Sequence, residues 1–484
     1  MVKLKRIKLN VKTNELVALI LIAFLVLLSV HTIRYFFNNN ILFGDENYYY
    51  LRNAESIRQD FSFIDKVTNR PIYDFGWPLL LAIFNSVLGI NIELLCRFLP
   101  LLIGLFTVVI FYLVLGEFDL EEKIKSFSCL LLIFSPPFIY SYSSCNNYGM
   151  AIFLSLLAFY YFLKDKIINS LVILILLSFF GISNIILLFL LSVIGIFLRY
   201  RKKFFVSLKY FGIVFLVYSI FKVPFWVKYG LPERVIFNVL DKEFLFQHIF
   251  SDLGGLTGIS IFTFLLAGLG LVSTWNKKSK YSLLYVSVLF LLILFLRNPS
   301  ISFYLNLLLI VLVVYGFIFV IHTRWESELI KKMIIIVLIV GILFSSFSYI
   351  KFLYTLEPNQ KTLDGLNVLK LENETGVVFT YYANGNLVET ITKKEALLDT
   401  VFVYNKNVNN KWEDSNKLFH TTDINTTIDI INTYNIKYIV IDKKMREGLI
   451  WERKDEGLLF LLKSTTTKFK KLYDNNEVEV WEIT

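Results

Sequence analysis

Two neighbouring stretches decide the fold, 16-LVALILIAFLVLLSV-30 and, a few residues further on, 43-FGDENYYYLRNAESI-57. The first is an unbroken apolar run long enough to enter a bilayer. The second presents two adjacent carboxylates, Asp45 and Glu46, followed by three tyrosines and Arg52. The rest of the sequence has to explain why a chain that leaves a bilayer presents these groups at once.

The composition is that of a membrane protein. Of the 484 residues, 56% are hydrophobic and 18% are charged, whereas a typical soluble chain has about 25% charged residues. The net charge of +10 then marks cytoplasmic loops rather than a nucleic-acid site. The three cysteines show no metal-type spacing and cannot form a disulfide framework. The sequence contains no HExxH motif, Walker P-loop or GxGxxG motif, which argues against a common zinc hydrolase and an ATP-driven pump.

Hydropathy predicts a polytopic α-helical membrane protein with about 11 transmembrane helices. A spanning helix needs about 20 apolar residues. The apolar stretch 77–90 is too short to span and is predicted to lie along the interface. The candidate spans, several of them short, are 15–37, 92–116, 126–141, 147–163, 167–182, 184–198, 204–227, 256–275, 281–297, 301–322 and 332–354.

Loop charge predicts the orientation of these spans. The amino-terminal segment MVKLKRIKLNVK has five Lys or Arg residues and no acid, so it should be cytoplasmic. If 77–90 does not span, the basic loops 199–203 and 276–280 also fall on the cytoplasmic side. We therefore expect an integral plasma membrane protein with three external segments: 38–91, 228–255 and everything after about 355.

The carboxyl-terminal part is predicted to be a separate domain. The transmembrane domain would cover 1–354, and 355–484 would form a soluble extracytoplasmic α/β domain. Its composition is mixed and polar, and its length suffices for one core. Strands are expected at 376–382, 437–442 and 477–483, with a helix at 424–434.

The carboxylate pair is the first candidate site. If 45–57 is helical, Asp45, Tyr48, Tyr49 and Arg52 lie on one face. Such a face presents a carboxylate, phenol hydroxyls and a guanidinium to one substrate. The carboxylate would act as general base for a hydroxyl acceptor, or bind a metal or sugar hydroxyls. The alternative is that Asp45 is an ordinary N-cap of its own helix.

Further candidates for substrate binding lie in the outer loops and at the outer ends of spans. Arginine is suited to bidentate phosphate binding, and charges that flank a span suggest function. Interfacial anchoring, snorkelling to the head groups and plain solvation are the alternatives for these residues. The candidates are Arg70, Asp74, Arg97, Asp241, Glu243 and Arg297.

This arrangement resembles the GT-C superfamily of membrane glycosyltransferases. The likeness rests on a first span, an external loop that opens with Asp45 and Glu46, a Pro/Gly/Trp stretch at 69–78, a helix ending at Gly89, and Arg97 in the next span. The chain looks most like the branch of protein O-mannosyltransferases and lipid A aminoarabinose transferases. Those inverting enzymes take a sugar from a polyprenyl-phosphate carrier on the outer face.

The resemblance implies roles for individual residues. Asp45 would be the catalytic or acceptor-activating acid, and Glu46 its acidic neighbour. Arg70 and Arg297 would be partners for the carrier phosphate. A more distant likeness to oligosaccharyltransferase catalytic subunits breaks down at their WWDYG motif, where this chain has 381-YYANG-385. The first loop also lacks an Asp-X-Asp pair, so oligosaccharide transfer to Asn is disfavoured and YYANG is predicted to be a strand-to-turn segment.

The sequence therefore predicts a glycosyltransferase with a polyprenyl-phosphate-linked sugar donor and a hydroxyl acceptor on a glycan, lipid or protein. Asp45 would take the acceptor proton with Glu46 in support, while Tyr49 and Arg52 join the substrate-binding set. Membrane lipid is a partner and nucleic acid is not; no cofactor is assigned, and a divalent metal ion stays open. The rivals are a transporter of lipid-linked sugars, disfavoured because the spans hold almost no internal carboxylates, and a non-catalytic membrane subunit.

Overall fold

The computed structural model describes residues 13–37, 39, 41–72, 75–118, 120–180, 250–253, 258–295, 301–401, 407–453 and 455–484, together with 212, 216, 219, 220, 223 and 227. Over these residues the chain is mainly helical, with one small sheet towards the carboxyl terminus. The helices that precede the sheet are α1 Thr13–Phe36, α2 Asp45–Asp60, α3 Gly76–Leu88, α4 Ile92–Gly116, α5 Glu122–Ile133, α6 Pro136–Ser143, α7 Asn147–Leu163, α8 Ile167–Leu177, α9 Ile261–Thr274, α10 Lys278–Phe295, α11 Ser302–His322, α12 Glu328–Thr355 and α13 Gln360–Leu371.

Apolar helices make the chain an integral membrane protein. Among the described residues, α1, α4, α11 and the helix that begins at Glu328 are long and apolar enough to cross a membrane. A fifth span results if α5 and α6, which meet at an angle of 62°, form one bent span. That bend falls at Pro136 and Pro137, because proline can begin a helix but cannot continue one.

The expected total of about eleven spans stays a prediction. The candidate spans 184–198 and 204–227 lie wholly or largely outside the described residues. Helix α3 has 13 residues and is therefore about 20 Å long, against a hydrocarbon core of about 30 Å. Its length agrees with the expectation that 77–90 does not span.

Helices α9 and α11 approach each other through two glycines. A Cβ placed on Gly270 would lie 1.9 Å from the carbonyl oxygen of Leu312, and one on Gly316 would lie 2.0 Å from that of Leu266. Only a residue without a side chain allows this distance between two backbones. The pair of glycines therefore sets the separation of these helices.

An arginine on the first helix binds the carbonyl oxygens at the carboxyl-terminal end of α12. Arg34 is 2% exposed, and its guanidinium donates to the carbonyl oxygens of Tyr354 (3.0 Å), Leu356 (2.9 Å) and Pro358 (3.2 Å). The last carbonyls of a helix have no partner within the helix, so Arg34 supplies partners from α1. Glu357 lies between two of these acceptors, and its backbone carbonyl accepts from the amide of Gly44 (2.8 Å). Gly44 directly precedes α2.

The sheet has four strands in the order β1-β2-β4-β3. Strand β1 (Val377–Phe379) is parallel to β2 (Ile436–Asp442), while β4 (Val478–Ile483) is antiparallel to both β2 and β3 (Phe469–Asp474). A parallel pair needs a long crossover. Here the crossover holds the helices α14 Gly385–Thr392, α15 Val408–His420 and α16 Ile424–Tyr434, and α17 Gly457–Ser464 follows β2.

The predicted elements of this region are found with small shifts. Two strands and helix α16 lie where the sequence predicts them, whereas the strand expected at 376–382 ends at Phe379. Strand β3 was not expected because its FKKLYD sequence shows little alternation between apolar and polar residues. Its two lysines are exposed, which is typical of an edge strand. The division of the chain into two domains at 354 stays a prediction.

Candidate functional site

Helix α2 begins at the carboxylate pair. Gly44, at φ 76° and ψ 148°, precedes it without a side-chain cap, and Asp45 and Glu46 occupy its first turn. Acidic side chains there are favoured by the helix dipole. The predicted helical face is present, and the alternative that Asp45 caps α2 itself is not what the structure has.

Asp45 instead accepts three hydrogen bonds from a distant part of the chain. Its Oδ1 accepts from the amide of Leu387 (2.8 Å), and its Oδ2 accepts from Asn386 Nδ2 (2.6 Å) and the Thr400 hydroxyl (2.9 Å). Burial raises the pKa of the Asp45 carboxyl to about 7, and these hydrogen bonds oppose the rise. The carboxylate therefore meets the start of helix α14.

Glu46 faces a different environment. It is partly buried, and its Oε2 accepts a long hydrogen bond of 3.4 Å from the Tyr140 hydroxyl. The Tyr140 ring stacks on Phe303 at 6.1 Å between centroids, and Tyr148 stacks on Phe303 at 4.7 Å. Burial raises the pKa of the Glu46 carboxyl to about 7, and the Tyr140 hydrogen bond lowers it. A carboxyl with this pKa can exchange a proton near neutral pH.

A buried ion cluster lies further along α2. Arg52 contacts Asp65 (2.8 Å) and Glu389 (2.8 Å), and Arg70 contacts Glu389 (3.2 Å) and Asp399 (2.6 Å). Opposite charges hold the pKa of Arg52 above its usual value although burial acts against it. Both predicted arginines are thus paired with carboxylates of this cluster.

The fold has solved counterparts. Oligosaccharyltransferase AglB from Archaeoglobus fulgidus, in complex with an inhibitory peptide and a dolichol-phosphate, matches at TM-score 0.63 and 12% identity, over 90% of this chain and 70% of that one. ArnT from Cupriavidus metallidurans in the apo state matches at TM-score 0.55 and 11% identity, over 97% of this chain and 98% of that one. These neighbours are GT-C glycosyltransferases. The chain has the GT-C fold.

A third GT-C structure, the arabinofuranosyltransferase AftD from mycobacteria, matches at TM-score 0.58 and 12% identity. The match covers 98% of this chain but 42% of AftD. No protein-family model matches the chain, and no curated protein matches it in sequence. At these identities the likeness establishes the fold.

Of the remaining predicted site residues, the structure describes Tyr49 and Arg97, which lie on different helices. Tyr49 is buried on α2, with its ring 5.3 Å from that of Tyr50. Arg97 contacts Glu93 (3.2 Å) one turn away on α4. Four predicted residues lie outside the described part of the chain: Asp74, Asp241, Glu243 and Arg297.

Five residues that sequence reasoning missed complete the site: Asp65, Asn386, Glu389, Asp399 and Thr400. Asn386 directly follows the YYANG run, which forms a short 3-10 helix at Tyr382–Asn384 and then starts α14. The YYANG run was the one local signal that pointed to this region, since it stands where oligosaccharyltransferase catalytic subunits have their WWDYG motif. Asp65 lies 13 positions after Arg52, whereas the contacts of the other four with Asp45, Arg52 and Arg70 run across more than 300 positions and leave no pattern in a single sequence.

The residues around Asp45 do not fit a metal ion. Two of its three partner atoms are N–H donors, the Leu387 amide and Asn386 Nδ2, whereas Mg²⁺ and Ca²⁺ take oxygen ligands. Among the described residues, no group of three His, Cys, Asp or Glu side chains is arranged to hold a metal. No catalytic step is therefore assigned to a metal at Asp45.

Proposed function

We propose that this chain is a glycosyltransferase that moves a sugar from a polyprenyl-phosphate donor to a hydroxyl acceptor, with inversion. The observation that carries the proposal is Glu46, a partly buried carboxylate with a single long hydrogen bond from Tyr140 among the described residues. Its place at the start of α2, in a chain with the GT-C fold, supports a role in group transfer.

Glu46 is the general base in this proposal. It takes the proton of the acceptor hydroxyl as the acceptor oxygen bonds to the anomeric carbon. The bond from that carbon to the phosphate oxygen breaks at the same time, and polyprenyl phosphate leaves with the electron pair. Attack from the side opposite the phosphate inverts the anomeric centre. A base with a pKa near 7 suits this step because it is both ionised and basic at neutral pH.

The assignment reverses the roles expected from the sequence, which gave the acceptor proton to Asp45. Three donors already occupy the two oxygens of Asp45. Among the described residues, Glu46 accepts one bond of 3.4 Å, which is weak for an O–H donor. The Glu46 carboxylate therefore has lone pairs available to an acceptor, and this difference supports its role as base.

The donor phosphate needs cationic side chains that can reach it. Arg52 and Arg70 lie in the buried cluster, where three carboxylates outnumber two guanidiniums. A phosphate would be repelled there. Among the predicted arginines, we propose that phosphate binding falls to Arg97, which also contacts Glu93 at 3.2 Å, and to Arg297, which lies outside the described residues.

The remaining details of the proposal come from the sequence and the family likeness. Transfer would take place on the outer face, with the amino terminus cytoplasmic, about eleven spans, and residues 355–484 as an external domain. The acceptor would be a lipid-linked glycan or a protein. Polyprenyl phosphate is supported as the carrier by AglB and ArnT, whose structures include complexes with dolichol-phosphate and undecaprenyl phosphate.

The first prediction tests Glu46 directly. Glu46→Gln keeps the shape of the side chain but removes the base, so sugar transfer in proteoliposomes should fall by about 100-fold or more. The measurement is mass spectrometry of lipid-linked sugars and of the polyprenyl phosphate released, in membranes loaded with lipid extract from the source cells.

Glu55→Gln is the matched control, since Glu55 lies on the same helix in an exposed pair with Lys393 (3.4 Å). It should transfer sugar at the normal rate. Near-normal turnover by Glu46→Gln would disprove the role of Glu46. Unchanged lipid-linked sugars and surface glycans in cells lacking the gene would disprove the function as a whole.

A further inference from the structure

Helix α14 begins against Asp45. The first N–H groups of a helix have no partner within it, and a carboxylate can cap them. Here the amide of Leu387, in the first turn of α14, donates to Asp45 at 2.8 Å. Asp45 thus caps the amino-terminal end of α14, although it lies 342 residues earlier in the same chain.

Asn386 fixes the geometry of this contact. Its Oδ1 accepts from Arg52 at 3.2 Å, and its Nδ2 donates to Asp45 at 2.6 Å and to the Thr400 hydroxyl at 2.7 Å. Because Arg52 can only donate, the amide oxygen must face Arg52 and the amide nitrogen must face Asp45. Asn386 is fully buried, so this orientation is the one in which both groups are satisfied.

The network joins the two chain segments at the site. The Thr390 hydroxyl donates to the carbonyl of Tyr48 (3.0 Å), and Arg52 donates to the carbonyl of Asn386 (3.2 Å). These two contacts and those of Asp45 all run between α2 and residues 386–400. The direction of the first turn of α2, and with it the position of Glu46, therefore depends on these contacts.

We propose that Asp45, Asn386 and Thr400 are positioning residues, which dock helix α14 on α2 and thereby hold Glu46 towards the acceptor. The inference rests on the proposed function and deepens it, because it separates the two carboxylates into one that positions and one that reacts. It also gives residues 385–401 a defined part in the site.

A swap of two side chains tests the inference. Asp45→Asn puts an amide opposite the Asn386 amide nitrogen, and Asn386→Asp puts two carboxylates together; each should lower transfer about tenfold. The double variant Asp45→Asn, Asn386→Asp reverses the bonds without an unpaired atom, because the amide introduced at position 45 then donates to the new carboxylate. It should recover transfer to within about threefold of the starting protein.

Two readouts separate this inference from the proposed function. Sugar transfer by the double variant should increase with pH near 7, since Glu46, which must be ionised to act as the base, is unchanged. Hydrogen exchange at residues 385–401 should quicken in Asp45→Asn and slow again in the double variant, whether or not any sugar is transferred. Thr400→Val is a milder variant, suited to the case in which a single carboxyl variant fails to fold.

The outcomes are distinct. Recovery of both transfer and protection from exchange supports the inference. A double variant as inactive as Asp45→Asn, with its protection restored, would show that Asp45 itself reacts and would overturn the inference. Unchanged exchange in Asp45→Asn would overturn the docking. A full-length protein that transfers no sugar disproves the proposed function, while the exchange result still decides the docking.

Discussion

At the scale of single residues, Glu46 shows how burial tunes a carboxyl group. Removal from water disfavours the charged form and raises the pKa, whereas a hydrogen bond to the carboxylate lowers it. In Glu46, burial dominates and the pKa is about 7, with Tyr140 acting against it. The folded chain therefore binds this proton more tightly than the unfolded chain does. As a result, the free energy of unfolding falls as pH rises from the ordinary carboxyl range to about 7.

We expect sugar transfer to rise with pH through about 7, because Glu46 accepts a proton only when it is ionised. Tyr140→Phe removes the hydrogen bond that lowers this pKa, so the rise should move to higher pH. Initial rates across a pH series measure the effect. Tyr35→Phe, at an exposed residue of α1, should leave the profile unchanged, and an unshifted profile in Tyr140→Phe would contradict the proposed environment of Glu46.

At the scale of elements, close helix packing depends on where glycine stands. Helix α9 carries Gly268 and Gly270 two positions apart, on different faces. A Cβ on Gly268 would meet nothing within 4 Å, whereas one on Gly270 would lie 1.9 Å from the Leu312 carbonyl oxygen of α11. The same substitution therefore has opposite consequences at the two positions.

Gly270→Ala should lower the free energy of unfolding by about 1–3 kcal/mol, because the backbone of α11 has to move. Gly268→Ala should be neutral or raise it by up to about 1 kcal/mol, since alanine favours the helix and meets no atom. Thermal unfolding in detergent compares the two. Equal unfolding midpoints for both variants would refute the close approach of α9 and α11.

At the scale of the whole molecule, a buried ion cluster connects distant parts of the chain. Glu389 is fully buried between Arg52 and Arg70, which belong to the segment before α3. Removing Glu389 would take one of two carboxylate contacts from each of the two buried guanidiniums. The cluster should therefore matter far more than any exposed ion pair.

Glu389→Gln should cost about 1–3 kcal/mol of stability, since each of the two buried arginines loses one of its two carboxylate contacts. Lys393→Met, four residues further on, breaks an exposed pair with Glu55 and should cost less than about 1 kcal/mol. Chemical denaturation in detergent measures both. Similar losses for the two variants would show that the cluster contributes no more than a surface pair.

The sequence predicted features that depend on neighbouring residues and missed contacts between residues far apart in the chain. Periodicity placed Asp45, Tyr48, Tyr49 and Arg52 on one helix, and hydropathy located the long helices, because both signals act over a few turns. The partners of Asp45 lie more than 340 positions away, so neither period nor spacing could reveal them. For the same reason, Arg52 was expected to bind substrate although its charge is already paired.

The Arg34 contacts also bear on how the protein is made. Its carbonyl acceptors follow it by 319–324 residues. A ribosome adds about 5–20 residues per second, so the first helix waits on the order of tens of seconds for them. Until then the guanidinium has to be solvated by lipid head groups, water or the insertion machinery. The carboxyl-terminal end of the first helix can therefore take its final position only after the last long helix has been made, which makes this contact a late step of biogenesis.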